Sequence, residues 1–317
     1  MKKLVFLAAA VAAIASCAKV ETVSMPGQQE IAFKAINAPT TKAAFPNATT
    51  LDSSIPLGVS AVWNKTDLSK VEYFNNVEFA HNGTSWAGGQ YWPKTGTLDF
   101  AVYAPYNAGI TVSTTTDTYK TIIRYDLTDA TGDIDFVYGD KIYKAQTNTG
   151  AIPVLLKHAR SQIIVNVKNN AGVPEDLYKV DDITFTKITT TGIPVVTYAE
   201  AEHTAALTFE RFGTADQNLK EEFTLNNLVK SEPNQIFTHY IMPNGNQDTM
   251  ILNYSVKTAA GYVKAEPITY TLSSSTSWES AKRYIFNITF TADEILMAPE
   301  VENWTDAPAT ELQVPAV

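Results

Sequence analysis

Between Ile31 and Ala292 the chain is built of short runs in which apolar and polar residues alternate, and Gly, Pro, Asn, Asp or Ser closes almost every run. That punctuation constrains the fold more than any other feature. Runs rich in Thr, Val, Ile and Tyr, too short for amphipathic helices, suit strands buried on one face. The segments 31–38, 55–63, 73–81, 88–93, 98–106, 119–127 and 133–139 read as seven strands. A second seven follow at 155–169, 180–192, 205–212, 236–245, 249–258, 266–273 and 282–292. The polar stretch 143–153 between the two sets reads as a linker, and only "KSEPNQIF" and "WESAKRY" hint at a helical turn. The expectation is an all-β protein of two tandem seven-stranded sandwiches, 43–150 and 151–305, each of ordinary domain size.

The first residues have a different character. Lys2 and Lys3 precede an unbroken apolar run from Leu4 to Ile14, followed by Ala15, Ser16 and Cys17, the single cysteine of 317 residues. Eleven apolar residues fall well short of the ~20 that span a bilayer, so the run is read as the core of an export leader. Ile14-Ala15-Ser16-Cys17 has the form of a lipobox, where a peptidase cuts before a cysteine whose sulfur carries diacylglycerol. Residues 1–16 are then a signal peptide, and 17–42 a lipidated tether with a removable first strand. Two or more acyl chains give stable membrane anchoring. Loss of Lys2 and Lys3 with the leader moves the formal charge from −9 to −11. Such an acidic product with four arginines is a poor partner for nucleic acid. Lacking a disulfide partner for Cys17, the fold must stand on its apolar core, for which this length suffices.

No arrangement of residues supplies a catalytic centre or cofactor site. His81, His158, His203 and His239 are scattered, and HExxH, CxxC, Gly-x-Ser-x-Gly and phosphate-cradling glycine loops are missing. Asp181 and Asp182 are read as solvated turn charges, because neighbouring strand residues point to opposite faces. His158 is read as a hydrogen-bonded histidine at a sheet edge rather than a base. Trp63, Trp86, Trp92, Trp278 and Trp304 could form a glycan-stacking platform, but strand aromatics are more often core or cross-strand pairs. The protein is expected to be no enzyme and to carry no metal or cofactor.

"YWPKTGTLDFAVYAPY" (91–106) and "LLKHARSQIIVNV" (155–167) resemble the fimbrillin family, the subunits of type V pili. A late strand with Trp278, Tyr284, Phe286, Ile288 and Phe290, then Val301 and Trp304, extends the resemblance over nearly the whole chain. It implies transthyretin-like sandwiches, export as an outer-membrane lipoprotein, and assembly into a cell-surface fimbrium by proteolytic activation and donor-strand exchange. A protease would cut after a basic residue in an early loop, and a strand of a neighbouring subunit, identical or not, would fill the vacated groove. Where family members often carry Thr-Arg, this chain has Thr41-Lys42, so an arginine-specific enzyme would not cut it.

The residues themselves lead to similar places. Lys42 lies in the most loop-like early segment, 38–50, small, polar and proline-bearing. In the tail, 306–317, Thr310, Leu312 and Val314 alternate with Glu311 and Gln313, the two-faced pattern of one strand. That tail is a donor strand, an extra edge strand or a frayed end. Asp248-Thr249-Met250 resembles an O-glycosylation site of such bacteria. The rival expectation is a lipid-anchored surface protein that binds a glycan and stays monomeric. The surface ligand and the stalk, tip or anchor role are not written in the sequence.

Overall fold

The computed structural model describes residues 29–35, 48–49, 51–114, 120–127, 134–145, 150–199, 204–212, 219–223, 228–243, 249–271, 278–292 and 294–303. Among them every regular element is a strand, and the two stretches that hinted at helical turns lead into strands at Asn234 and Lys282. The first half contributes β1 (Glu30–Ala35), β2 (Ala48–Thr49), β3 (Leu57–Asn64), β4 (Lys70–His81), β5 (Trp86–Tyr91) and β6 (Thr97–Ala104). It continues with β7 (Thr111–Thr114), β8 (Thr121–Arg124), β9 (Val137–Gly139), β10 (Ile142–Ala145), β11 (Ile152–Val154) and β12 (Leu156–His158). The second half contributes β13 (Ser161–Asn169), β14 (Tyr178–Phe185), β15 (Gly192–Tyr198), β16 (Ala206–Phe212), β17 (Leu219–Glu222) and β18 (Asn234–Ile241). It ends with β19 (Thr249–Thr258), β20 (Gly261–Lys264), β21 (Ile268–Thr271), β22 (Lys282–Phe290) and β23 (Ile295–Asn303).

Ten strands of the first half follow the hydrogen-bonded order β11-β1-β5-β4-β3-β6-β9-β12-β2, with β10 also on β6. The path folds over on itself through β4, whose body pairs with β3 while Ala80 pairs with Ala87 and His81 with Trp86 on β5. A register shift at Asn75–Asn76 makes the bend: Asn76 has φ 48°, and its N–H donates to Ser60 Oγ at 2.9 Å. Asparagine tolerates this left-handed backbone better than most residues with a Cβ. The two layers face each other. Phe33 of β1 and Phe100 of β6 share no ladder, yet their rings meet edge to face at 5.3 Å.

The second half repeats the two-layer principle, with β18-β13-β22-β23 in one layer and β17-β14-β19-β20 in the other, β21 also lying on β19. Strict alternation sends Ile163, Val165 and Val167 of β13 and Tyr284, Phe286, Ile288 and Phe290 of β22 inward. Phe185 of β14 meets Phe237 at 5.2 Å and Phe286 at 5.5 Å, closing the core between layers. The alternation fails in β14 at one place. A register shift between Val180 and Asp182 inserts an extra residue, so Asp181 and Asp182 both lie on the outer side, between buried Val180 and Ile183. They are strand residues, not turn charges. Asp181 accepts from Ser255 Oγ at 2.6 Å and pairs with Lys179 at 2.8 Å, and Asp182 accepts from Asn253 Nδ2 at 2.7 Å.

A fourth sheet, β16-β15-β8-β7, combines strands from both sides of Gly150. It covers a third core of Tyr103, Tyr125, Phe136, Tyr138, Tyr198 and Met242. The Tyr198 hydroxyl donates to the carbonyls of Val102 at 3.2 Å and Gly139 at 3.0 Å. At this junction Arg160 is 2 % exposed. Its guanidinium donates to the carbonyls of Ile134 (2.7 Å), Thr190 (2.9 Å) and Tyr240, joining three segments far apart in the chain.

Candidate functional site

The N-terminal strand has the most conspicuous setting. Its alternation sends Ile31 and Phe33 inward, both 0 % exposed, and Glu30 and Lys34 outward. Phe33 meets Phe79 at 5.4 Å and Phe100 at 5.3 Å, both edge to face, an arrangement that adds to what ring burial alone supplies. Phe100 in turn meets Trp92 at 5.8 Å. β1 therefore forms part of the core of the first half rather than an added edge.

Its backbone is held on both sides. β11 runs parallel to it, Phe33 opposite Ile152, and β5 runs antiparallel, Phe33 opposite Trp86. At the entry, Trp92 N–H donates to Gln29 O at 3.0 Å, and Glu30 Oε1 accepts from Gly89 N at 3.0 Å. β5 can lie this close because position 88 is glycine: a Cβ there would stand 2.6 Å from Glu78 O and 2.7 Å from the Phe79 ring. β11 is short and interrupted by the outward Pro153, with Ile152 and Val154 buried on either side. The segment expected as a linker, 143–153, thus carries β10 and β11, the latter part of the slot that holds β1. The slot accepts a six-residue strand with two inward apolar side chains.

Of the residues singled out from the sequence, Cys17, Lys42, Thr310, Leu312, Val314 and Trp304 lie outside the described residues. His158 is 1 % exposed and its Nδ1 lies 2.9 Å from Asp135 Oδ1, so it is a hydrogen-bonded histidine as expected, but buried in a strand between β9 and β2 rather than at a sheet edge. In the run His158–Ile163, Ala159 and Ile163 are core and Ser161 Oγ donates to Glu279 O at 2.7 Å. Gln162 Oε1 accepts from Arg283 Nε at 2.7 Å. Each residue of that motif secures the junction between strands. Thr249 begins β19, and its hydroxyl lies 3.0 Å from that of Thr186. Trp86, Trp92 and Trp278 are buried, and half-buried Trp63 donates to Thr95 O at 2.8 Å. Among the described residues no group of three or more His, Cys, Asp or Glu is placed to hold a metal ion. The strand expected at 31–38 is β1, but "IAFKA" alternates too weakly to mark Ile31 and Phe33 as its inward pair, and nothing local marks β11 as its partner.

The tyrosines of the junction core are held neutral. Burial pushes Tyr138 up to about 12 and raises Tyr103, Tyr125 and Tyr198 as well.

A family model described as fimbrillin-like matches residues 41–304. Among solved structures, a fimbrial protein from Bacteroides vulgatus aligns with 87% of this chain and 100% of its own, at 16% identity and TM-score 0.56. A candidate cell adhesion protein from Bacteroides uniformis aligns with 87% of this chain and 99% of its own, at 17% identity and TM-score 0.54. Another from Bacteroides ovatus gives 87% and 97%, at 14% identity and TM-score 0.53. At these identities the likeness is one of fold. No curated protein matches the chain.

Proposed function

The chain belongs to the fimbrillin-like family, and from that premise we propose that it is a structural subunit of a surface fimbria, polymerised by exchange of β1 for a strand of a neighbouring subunit. One observation carries the reading: β1 places two fully buried side chains in the core, and the stretch containing Lys42 follows it. Cleavage after Lys42 would turn β1 from part of the chain into a bound peptide. Each of Ile31 and Phe33 contributes roughly 1.5–3 kcal/mol by burial, so the emptied slot would strongly favour a replacement. β-Augmentation of this kind draws affinity from the ladder and specificity from the inward pockets.

In this reading the precursor reaches the outer membrane as a lipoprotein, acylated on Cys17, and cleavage separates sandwich from tether. The donor is the tail, 306–317, with Thr310, Leu312 and Val314 facing the slot. The first domain runs past the boundary expected at 150 to include β11 and β12, the second follows it to 305, and the β8–β15 ladder joins them. Neighbouring subunits are the partners, and no chemistry is catalysed.

The test is to nick the folded precursor with a lysine-specific protease and follow ladders on unheated gels. Ladders that form after cleavage, and are lost with Lys42→Ala or Leu312→Asp, support the reading. Equal ladders from Leu312→Asp remove the tail as donor. A nicked chain that neither releases β1 nor polymerises refutes exchange. Cys17→Ala should accumulate as unprocessed precursor, and its normal processing would count against acylation.

A further inference from the structure

The hairpin between β3 and β4 breaks a local rule. Lys65 N–H donates to Ser69 O at 2.9 Å and Leu68 N–H to Lys65 O at 3.2 Å, while Asp67 Oδ1 accepts from Ser69 N–H at 2.9 Å. This tight turn holds Leu68 at φ 67°, the left-handed region where hairpins ordinarily use Gly or Asn. Leu68 is also 91% exposed. A lone exposed leucine needs no explanation. A leucine held in a glycine's conformation with its side chain in water does, because a glycine or asparagine would relieve the strain and the exposure at once. Locally costly choices of this kind concentrate where a chain makes contact with something else.

The position of the turn says what that contact is. Trp63, next to the hairpin, donates to Thr95 O, and Trp92 N–H donates to Gln29 O. Asn64 lies opposite both Lys70 and Thr97. Leu68 therefore stands at the pole of the sandwich where the chain enters β1. Residues 18–28, eleven in all, separate Gln29 from Cys17 and reach at most about 40 Å when fully extended. Lys65, Lys70 and Lys94 belong to the same pole, together with exposed Glu30 and Glu72 and with Asp67 in the turn, and Lys65 Nζ sits 5.1 Å from the Trp63 ring centre. A projecting apolar side chain flanked in its hairpin by Lys65 and Lys70, at the end where the tether enters, is the arrangement of an interfacial membrane contact in which lysine stems reach lipid phosphates.

We propose that the β3–β4 turn docks on an anionic lipid surface, Leu68 entering the headgroup layer and Lys65, Lys70 and Lys94 lying on the phosphates. The contact rests on the proposed acylation of Cys17 and orients the tethered precursor. β1 would then stand at the membrane-facing end until cleavage frees the sandwich.

The acylated full-length chain carrying Leu68→Cys has one free thiol, because the sulfur of Cys17 is consumed by the lipid. A polarity-sensitive dye on that thiol is read in vesicles of phosphatidylcholine with phosphatidylglycerol. A blue shift with severalfold gain in emission is expected at position 68 and none at Val263→Cys, in the second half. Without acylation (Cys17→Ser), Leu68→Ser should weaken sedimentation with the same vesicles about tenfold, and loss of each lysine about fivefold. A dye at 68 that stays in water, or vesicle binding indifferent to Leu68→Ser, overturns the docking. A chain that fails to acylate overturns the tether itself, a separate result seen before any dye is read.

Discussion

Phe33→Ala tests whether β1 is part of the core of the first half or merely lies on it. Phe33 is fully buried, touches two rings edge to face, and stands opposite Trp86 and Ile152. Truncation removes the transfer free energy of the ring and leaves a cavity that Phe79 and Phe100, fixed in β4 and β6, cannot collapse into. Such changes cost about 3–5 kcal/mol. Lys34, one residue on, points outward, and Lys34→Ala should change stability by less than about 0.5 kcal/mol. Urea unfolding followed by fluorescence separates the cores: Trp86 and Trp92 report on the first and Trp278 on the second. With the other tryptophans replaced by phenylalanine, the early transition should shift for Trp86 and Trp92 and stay for Trp278. In the nicked protein the same substitution should speed release of β1 by at least a hundredfold, since about 3 kcal/mol is more than two powers of ten. A loss under 1 kcal/mol, or equal effects of Phe33→Ala and Lys34→Ala, would refute the assignment of β1 to this core.

Arg160→Leu leaves three carbonyls at the junction without their donor and should cost about 3–5 kcal/mol in urea unfolding. Leu68→Gly should stabilise by about 0.5–1 kcal/mol, the relieved left-handed strain exceeding the added chain entropy, as measured by chemical unfolding. Alkali should act through the junction tyrosines. Folding keeps Tyr138 protonated up to about 12 against an ordinary 10.0, so its contribution is complete below pH 10 and is lost as the pH rises from there toward 12. Phenolate absorbance should rise together with unfolding, and Tyr138→Phe should shift the midpoint upward.

Much of the fold was legible because alternation is local. Tyr284, Phe286, Ile288 and Phe290 declare an inward face within seven residues, and β22 follows that run. What eluded the sequence depends on partners far away. β11 has three residues and a proline, and β20 is exposed along its length, so neither carries a pattern of its own. The bulge that turns Asp181 and Asp182 to one side is visible only in the ladder with β19. The candidate site divides in the same way: the strand after Gln29 could be read, while the slot that holds it is made by Trp86, Phe79, Phe100 and Ile152.

The pairing of Phe33 with Ile152 also sets a timetable. The first strand of the fold cannot complete its ladder until over a hundred further residues exist, and β8 waits likewise for β15. Contacts so distant along the chain make folding slow and leave strand edges open meanwhile. A polypeptide emerging from its amino end would hold one edge of β1 unsatisfied until β11 has been made. An added strand-forming peptide should therefore trap the nascent first half far more readily than the finished protein.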